Sequence, residues 1–201
     1  MGRRSDHTRD ELEALFIDAG RTQLAEVGRS RFSARDVAKR VGYSIGTLYN
    51  VFGSADGLML AINACTLSLW TEYLREQLAQ ADEDRIAALV QAYFRFAEQN
   101  SKTWLAIYEH HLAGDEMAPD WYHQVAAGLV ELVAAEVAAT LPGRPTPDIA
   151  SLTVSLIATV HGHCVFALYR TFVFLGQDDP VEAALARVRE ILRAAGSDAR
   201  R

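Results

Sequence analysis

"SARDVAKRVGYSIGTLYNVF", residues 33–52, is the stretch whose reading decides the fold. It divides at Gly42-Tyr43 into two short helical segments, the layout of a helix-turn-helix. Ser33 and Asp36 have the separation of a capping box, with aspartate in place of the usual glutamate, so a helix opens after Ser33. Its apolar positions are Val37, Ala38 and Val41, and Gly42 supplies the stop. Ser44 is placed to cap the next helix by accepting from the amide of Gly46 or Thr47. There Leu48, Val51 and Phe52 share a face that fits the first helix, which leaves Ser44, Ile45, Gly46, Thr47, Tyr49 and Asn50 outward. Small residues on such a face allow close approach to a DNA groove, and hydroxyls and amides at a helix start suit phosphates. A plain helical hairpin with a polar corner has the same spacing, so spacing alone leaves both readings open.

Outward from this stretch, nearly every long segment has helical periodicity and none alternates convincingly with period two. Leu12, Leu15, Phe16, Ala19, Leu24 and Val27 mark a helix ahead of the motif, ended by Gly28. Asp56 to about Gln80 reads as a long helix, followed by helices near 85–99, 102–112 and 119–141. Pro142-Gly143-Arg144-Pro145-Thr146-Pro147 is the strongest breaker, and two helices follow, 148–175 and one starting at Pro180. The expectation is an all-α chain of about nine helices. A three-helix helix-turn-helix module takes residues 1–55, and a C-terminal helical bundle takes residues 56–201.

The 201 residues carry a net charge of −6, but unevenly. Residues 1–54 hold nine Lys/Arg against seven Asp/Glu, while residues 55–201 hold eleven against nineteen. A basic module on an acidic body suits DNA at one end, as does the basic arm Arg3-Arg4. Two distant cysteines, no apolar segment after the charged start and no run of about 18 apolar residues lead to the expectation of a cytoplasmic protein with reduced thiols and no membrane partner.

The stretch "FSARDVAKRVGYSIGTLYNVFGSADGLMLAI" resembles the DNA-binding domain of the TetR family of transcriptional repressors. The likeness is carried by Arg35-Asp36-Val37-Ala38, by Gly42 through Tyr49, and by Phe52, and is specific over about residues 10–65. It implies a homodimer that binds a palindromic operator in double-stranded DNA and responds to a small-molecule effector in the C-terminal domain. Carried over by position, Ser44, Gly46, Thr47, Tyr49 and Asn50 form the DNA face, and Ser33 and Arg35 touch the backbone. Two positions depart from the family pattern: Ile45 and Ala55 stand where lysine is common. Removing one cation from a phosphate lowers the salt-dependence slope by roughly 0.9. The basic arm Arg3-Arg4 and the cluster Arg29, Arg31 and Arg35 are expected to compensate, and Ile45 is suited to a thymine methyl.

In the C-terminal part, Trp104, Tyr108, His111, Trp121, Tyr122, His161, Cys164 and Phe166 are candidates for an effector pocket, since such sites join aromatic walls to a few polar tips. The same residues also fit an ordinary core. The effector expected is hydrophobic or aromatic. No standard metal spacing, cofactor loop or catalytic motif occurs, so neither metal, cofactor nor enzymatic activity is expected. The helix over 148–175 is apolar on more than one face, with Ala158 and Gly162 one turn apart and Leu168 beyond. With the stripe Leu185, Val188, Ile191 and Leu192 on the last helix, it is expected to form a four-helix dimer interface. A different class remains beside the ligand-released repressor: a helical effector-binding protein whose helix-turn-helix binds DNA weakly.

Overall fold

The computed structural model describes residues 7–110, 117–176 and 178–198. Ten α-helices occur among them: α1 (Arg9–Val27), α2 (Ala34–Val41), α3 (Ile45–Phe52), α4 (Ala55–Ala79), α5 (Arg85–Gln99), α6 (Ser101–Glu109), α7 (Asp120–Thr140), α8 (Thr146–Leu168), α9 (Thr171–Leu175) and α10 (Pro180–Asp198). A single 3-10 turn, Arg29–Arg31, separates α1 from α2. The all-helical architecture agrees with the sequence. The count exceeds the expected nine because the segment 148–175 is broken. Arg170 takes a left-handed backbone conformation (φ 58°), ending α8 and starting the short α9.

The chain divides into two compact units, one comprising Met1–Leu67 with Asn100–Val125 and the other Ser68–Gln99 with Ala126–Arg201. The divisions fall within α4, between α5 and α6, and within α7, so residues 56–67 and 100–125 cluster with the helix-turn-helix.

In the first unit, a reciprocal capping box opens α1: Thr8 Oγ1 accepts from the Glu11 amide, and the Glu11 carboxylate accepts from the Thr8 amide at 2.6 Å. That hydrogen bond holds the Glu11 carboxyl below its usual range. The core joins Leu12, Phe16 and Leu24 of α1 to Val37 and Ala38 of α2, Leu48 of α3, and Leu58, Met59 and Ile62 of α4. Edge-on rings at 6.1 Å join Phe16 to both Tyr43 and Phe52. Complete burial of side chains this size contributes about 1.5–3 kcal/mol each.

Gly57 makes the sharp passage from α3 to α4 feasible. A Cβ there would lie 2.1 Å from the Phe52 carbonyl oxygen, a backbone atom with little freedom to retreat. Ser54 caps the new helix, its hydroxyl accepting from the Gly57 amide at 2.9 Å. At Gly46, by contrast, a Cβ would meet only Ser44 Oγ at 3.6 Å.

In the second unit α8 packs along α10, and α5 packs against both. The Arg85 guanidinium grips the Glu136 carboxylate with bonds of 2.8 and 2.7 Å and donates at 2.8 Å to the Leu78 carbonyl at the end of α4. Trp70 stacks on Phe96 at 5.7 Å and meets Tyr93 edge-on at 4.8 Å. By length and composition α8 could cross a membrane, and 28% of its most apolar window is buried within the chain.

The two glycines separate by substitution. Gly57→Ala should cost about 1–3 kcal/mol of unfolding free energy through overpacking, whereas Gly46→Ala should be neutral or stabilising by up to about 1 kcal/mol. Urea denaturation of both variants tests this, and equal midpoints would contradict the close approach at Gly57.

Candidate functional site

α2 and α3 are both capped by serine. Ser33 Oγ accepts from the Asp36 amide at 3.3 Å, while the Ser33 amide donates to the buried Gln23 side chain at 3.1 Å. Only half of the expected capping box therefore forms, because glutamine from α1 takes the place of the carboxylate. Gly42 then closes α2 in a left-handed conformation (φ 83°), its amide reaching the Ala38 and Lys39 carbonyls. Tyr43 follows, its hydroxyl 2.7 Å from His7 Nδ1. Ser44 Oγ accepts from the Thr47 amide at 3.1 Å and lies 3.0 Å from the Thr47 hydroxyl, which fixes the start of α3.

Leu48 is fully buried, and Val51 and Phe52 pack on the same core, as their shared face predicts. Ile45 joins them. Its side chain is half-buried against the core, one turn before Leu48, so it is not free on the outer face as expected. Ser44, Gly46, Tyr49 and Asn50 are exposed and Thr47 is half-buried. At 44% exposure, Tyr49 is the one large ring on that face.

The basic groups are not equally available. Arg40 is held by Glu26, with bonds of 3.3 and 2.6 Å that lower the Glu26 carboxyl from its usual range. Lys102 of α6 donates to the Glu26 carbonyl at 2.6 Å, where a cation suits the end of α1. Arg9 reaches the Val51 carbonyl at 3.2 Å, near the end of α3. Arg31, Arg35 and Lys39 are exposed and make no salt bridge among the described residues. Ala55 is exposed at the head of α4, and Arg4 lies outside the described residues.

The eight candidate pocket residues fall into two groups. In the first unit, Trp104 is fully buried with its ring 5.1 Å from that of Tyr108, and Trp121 meets Tyr122 edge-on at 5.8 Å. Burial raises the Tyr122 hydroxyl above its usual range. His111 lies outside the described residues. In the second unit, His161 Nδ1 lies 3.1 Å from the Tyr93 hydroxyl, Cys164 is fully buried and Phe166 is partly exposed against Phe172. Burial lowers the His161 pKa, and burial with the nearby Glu98 charge pushes the Cys164 thiol up to about 12. His163 turns instead to the Thr159 carbonyl at 2.8 Å.

A cavity is present in the second unit, and none of those eight residues lines it. Its walls are Ile86, Leu89, Val90 and Tyr93 of α5, Val133 and Val137 of α7, Leu156, Ile157 and Val160 of α8, and Val188 of α10. The sequence signal was the i, i+3, i+4, i+7 stripe of α5, which periodicity marks as buried without saying that a void lies beside it.

The four dimer candidates on α10 lie against their own chain. Leu185 and Val188 are buried within the chain, and Ile191 and Leu192 are half-buried, because this stripe serves the packing against α8 and α5. Ala158 and Gly162 are exposed, and a Cβ on Gly162 would meet nothing within 4 Å. Leu168 is half-buried.

Two family models match this chain. Residues 16–62 fit the bacterial regulatory proteins of the tetR family, and residues 86–195 fit the tetracyclin repressor-like C-terminal domain. The chain belongs to the TetR family. It is 30% identical over 155 residues to the HTH-type transcriptional regulator BetI of Burkholderia cenocepacia, covering 74% of this chain and 79% of BetI. A TetR-family transcriptional regulator from Streptomyces coelicolor shares its fold, with a TM-score of 0.65, 23% identity, and coverage of 94% and 99% of the two chains. RolR, solved with the ligand resorcinol, matches with a TM-score of 0.66 and 17% identity over 96% of this chain and 92% of its own. This TetR-family member is thus a transcriptional regulator with a ligand-binding type of C-terminal domain, and its relatives are transcription factors, not enzymes.

The Arg85–Glu136 pair gives a test of the second unit. The Glu136 side chain is 11% exposed, against 58% for Glu72 in the surface pair with Arg75. Arg85→Leu should therefore lower the urea midpoint clearly more than Arg75→Leu, since it strands a nearly buried carboxylate. Equal midpoints would mean that Glu136 finds another partner.

Proposed function

We propose that this TetR-family regulator is a homodimeric repressor that reads a palindromic operator through α3 and is released by a small apolar effector in its C-terminal domain. The observation that carries the DNA reading is the division of α3 into a buried face and an exposed face of Ser44, Gly46, Tyr49 and Asn50. Nothing inside the protein requires glycine at 46, where a side chain would meet only Ser44 Oγ. A surface approached closely from outside accounts for it, as a recognition helix in the major groove requires. Arg35, Lys39 and Arg31 supply exposed cations for the phosphates, with Ser33 and Arg4 as further backbone contacts. Thr47 completes the reading face, while Ile45 is withdrawn from it.

The face of α8 that bears Val154 (60% exposed), Ala158, Gly162, Phe166 and Tyr169 supports dimerisation. Apolar side chains exposed along one face call for cover, and the small residues let a second helix come close. RolR takes resorcinol, which supports a small-molecule effector here. Its site is proposed in the C-terminal domain, where Trp104, Tyr108, His111, Trp121, Tyr122, His161, Cys164 and Phe166 remain candidates. Exposed Ala55 and withdrawn Ile45 favour the second reading, an effector-binding protein with weak DNA affinity.

Titration of the protein against its own upstream DNA and random duplex, at two salt concentrations, separates the readings. Tyr49→Ala should raise the operator Kd by roughly 5- to 100-fold, equivalent to about 1–3 kcal/mol. Ala55→Lys should steepen the salt slope by roughly 0.9 and Arg35→Ala should flatten it by as much. No preference for the upstream DNA at either salt would leave only the effector-binding reading. For the dimer, Gly162→Arg should shift the sedimenting species from two chains to one, and an unchanged mass would refute the α8 interface.

A further inference from the structure

The exposed face of α3 has few free polar groups, and those few narrow what it can read. Gly46, Tyr49 and Asn50 share that face by their three- and four-residue spacing, and Leu48, completely buried, lies nearly opposite Gly46 and Asn50. The Ser44 and Thr47 hydroxyls at the helix start are committed to one another at 3.0 Å, and Ser44 Oγ also accepts from the Thr47 amide. The Asn50 side chain is exposed and makes no hydrogen bond among the described residues. No cation lies anywhere in α3, whose eight residues are IGTLYNVF. The exposed cations Arg31, Arg35 and Lys39 belong to α2 and the 3-10 turn before it. In a helix-turn-helix that first helix crosses the phosphate backbone, so these groups do not meet base edges.

Each base pair shows a different set of donors and acceptors in the major groove. Guanine is most often read by a bidentate arginine or lysine, and α3 has neither. Adenine presents an acceptor at N7 beside a donor at N6, the complement of a carboxamide, which donates and accepts from adjacent atoms. On guanine or thymine, which only accept there, the amide oxygen would go unpaired, and on cytosine, which only donates, the amide N–H would. The asparagine side chain is short, so it meets a base edge only where the helix backbone comes close. Gly46, one turn earlier, removes the side chain that would hold the helix away, although within the protein a Cβ there would meet only Ser44 Oγ at 3.6 Å. We infer that Asn50 is the specificity-determining residue of α3 and reads an adenine in each operator half-site, through a close approach that Gly46 makes possible. The assignment rests on the DNA-binding reading of α3 and adds to it the class of base pair recognised, A·T.

The full-length chain is used to select sites from a pool of randomised duplexes, and the selected duplex is then titrated. The wild type should select an adenine at one position of each half-site, and changing that A·T pair to G·C should raise the Kd roughly 5- to 100-fold. Asn50→Ala should lose this preference and keep those at other positions. Replacing the adenine by its 7-deaza analogue, which lacks the N7 acceptor, should weaken the wild type several-fold and leave Asn50→Ala unaffected, so that the two changes fail to add. Gly46→Ala should weaken every selected duplex several-fold, although the free protein has room for the methyl group. An adenine preference that survives in Asn50→Ala, or a wild type indifferent to the deaza analogue, would overturn the base assignment. An affinity unchanged by Gly46→Ala would overturn the close approach. The deaza measurement on the wild type needs no variant, so it decides the matter even where Asn50→Ala fails to fold. Selection of no sequence at all by the wild type removes the DNA-binding reading itself, whereas a selected sequence indifferent to Asn50 removes only the base assignment.

Discussion

α3 cannot stand by itself, and much of the first unit follows from that. It has eight residues, well short of the length at which an isolated helix is more than marginal in water. It exists because Leu48 is buried completely and Ile45, Val51 and Phe52 rest on the core built around Phe16. Half of so short a helix is thereby committed to holding it in place. What remains outward is uncharged, small at Gly46 and Thr47 with one large ring at Tyr49, and its composition is not set by the core. Ile45 shows the competition directly: a lysine there would gain a phosphate but give up its packing on the core. Gly57 belongs to the same constraint, since α4 can begin so soon after α3 only if no Cβ points at the Phe52 carbonyl.

Charge counting along the sequence overstates the basic surface that DNA would meet. Nine cations lie in residues 1–54, but Arg9 and Arg40 are engaged within the first unit. Glu26, in the last turn of α1, receives Arg40 on its carboxylate and Lys102 on its backbone carbonyl. One residue thus joins α2 of the helix-turn-helix, α1 and α6. Exposed ion pairs contribute little stability, so the value of this arrangement is positional. It aligns α2, and it leaves Arg31, Arg35 and Lys39 as the exposed cations beside α3.

The helix-turn-helix was legible in the sequence because its determinants are local. Caps at Ser33 and Ser44, a stop at Gly42 and a stripe at Leu48, Val51 and Phe52 all lie within a few residues of what they control. Other features depend on distant partners and were hidden. Ser33 has Gln23 of α1 as its second partner, which no capping pattern includes. Arg170 breaks the long C-terminal helix through a backbone conformation for which arginine gives no signal. Periodicity located the buried stripe of α10 but could not tell whether its cover was another chain or α8 and α5. The cavity was invisible for a similar reason, since valine and leucine beside a void have the same pattern as valine and leucine beside each other.

The geometry of α8 connects the proposed dimer face to the cavity. At 3.6 residues per turn each residue advances by about 100°. Val160, Leu156 and Cys164 then cluster on one side, and all three are buried. Ser151, Ala158, Gly162 and Tyr169 lie nearly opposite, and all four are exposed. A helix apolar over so much of its circumference needs cover on more than one side. Its own unit buries the Val160 side, while on the far side Phe166 meets the Phe172 ring of α9 and stays partly exposed. The helix that forms one wall of the cavity therefore presents its back to the proposed partner.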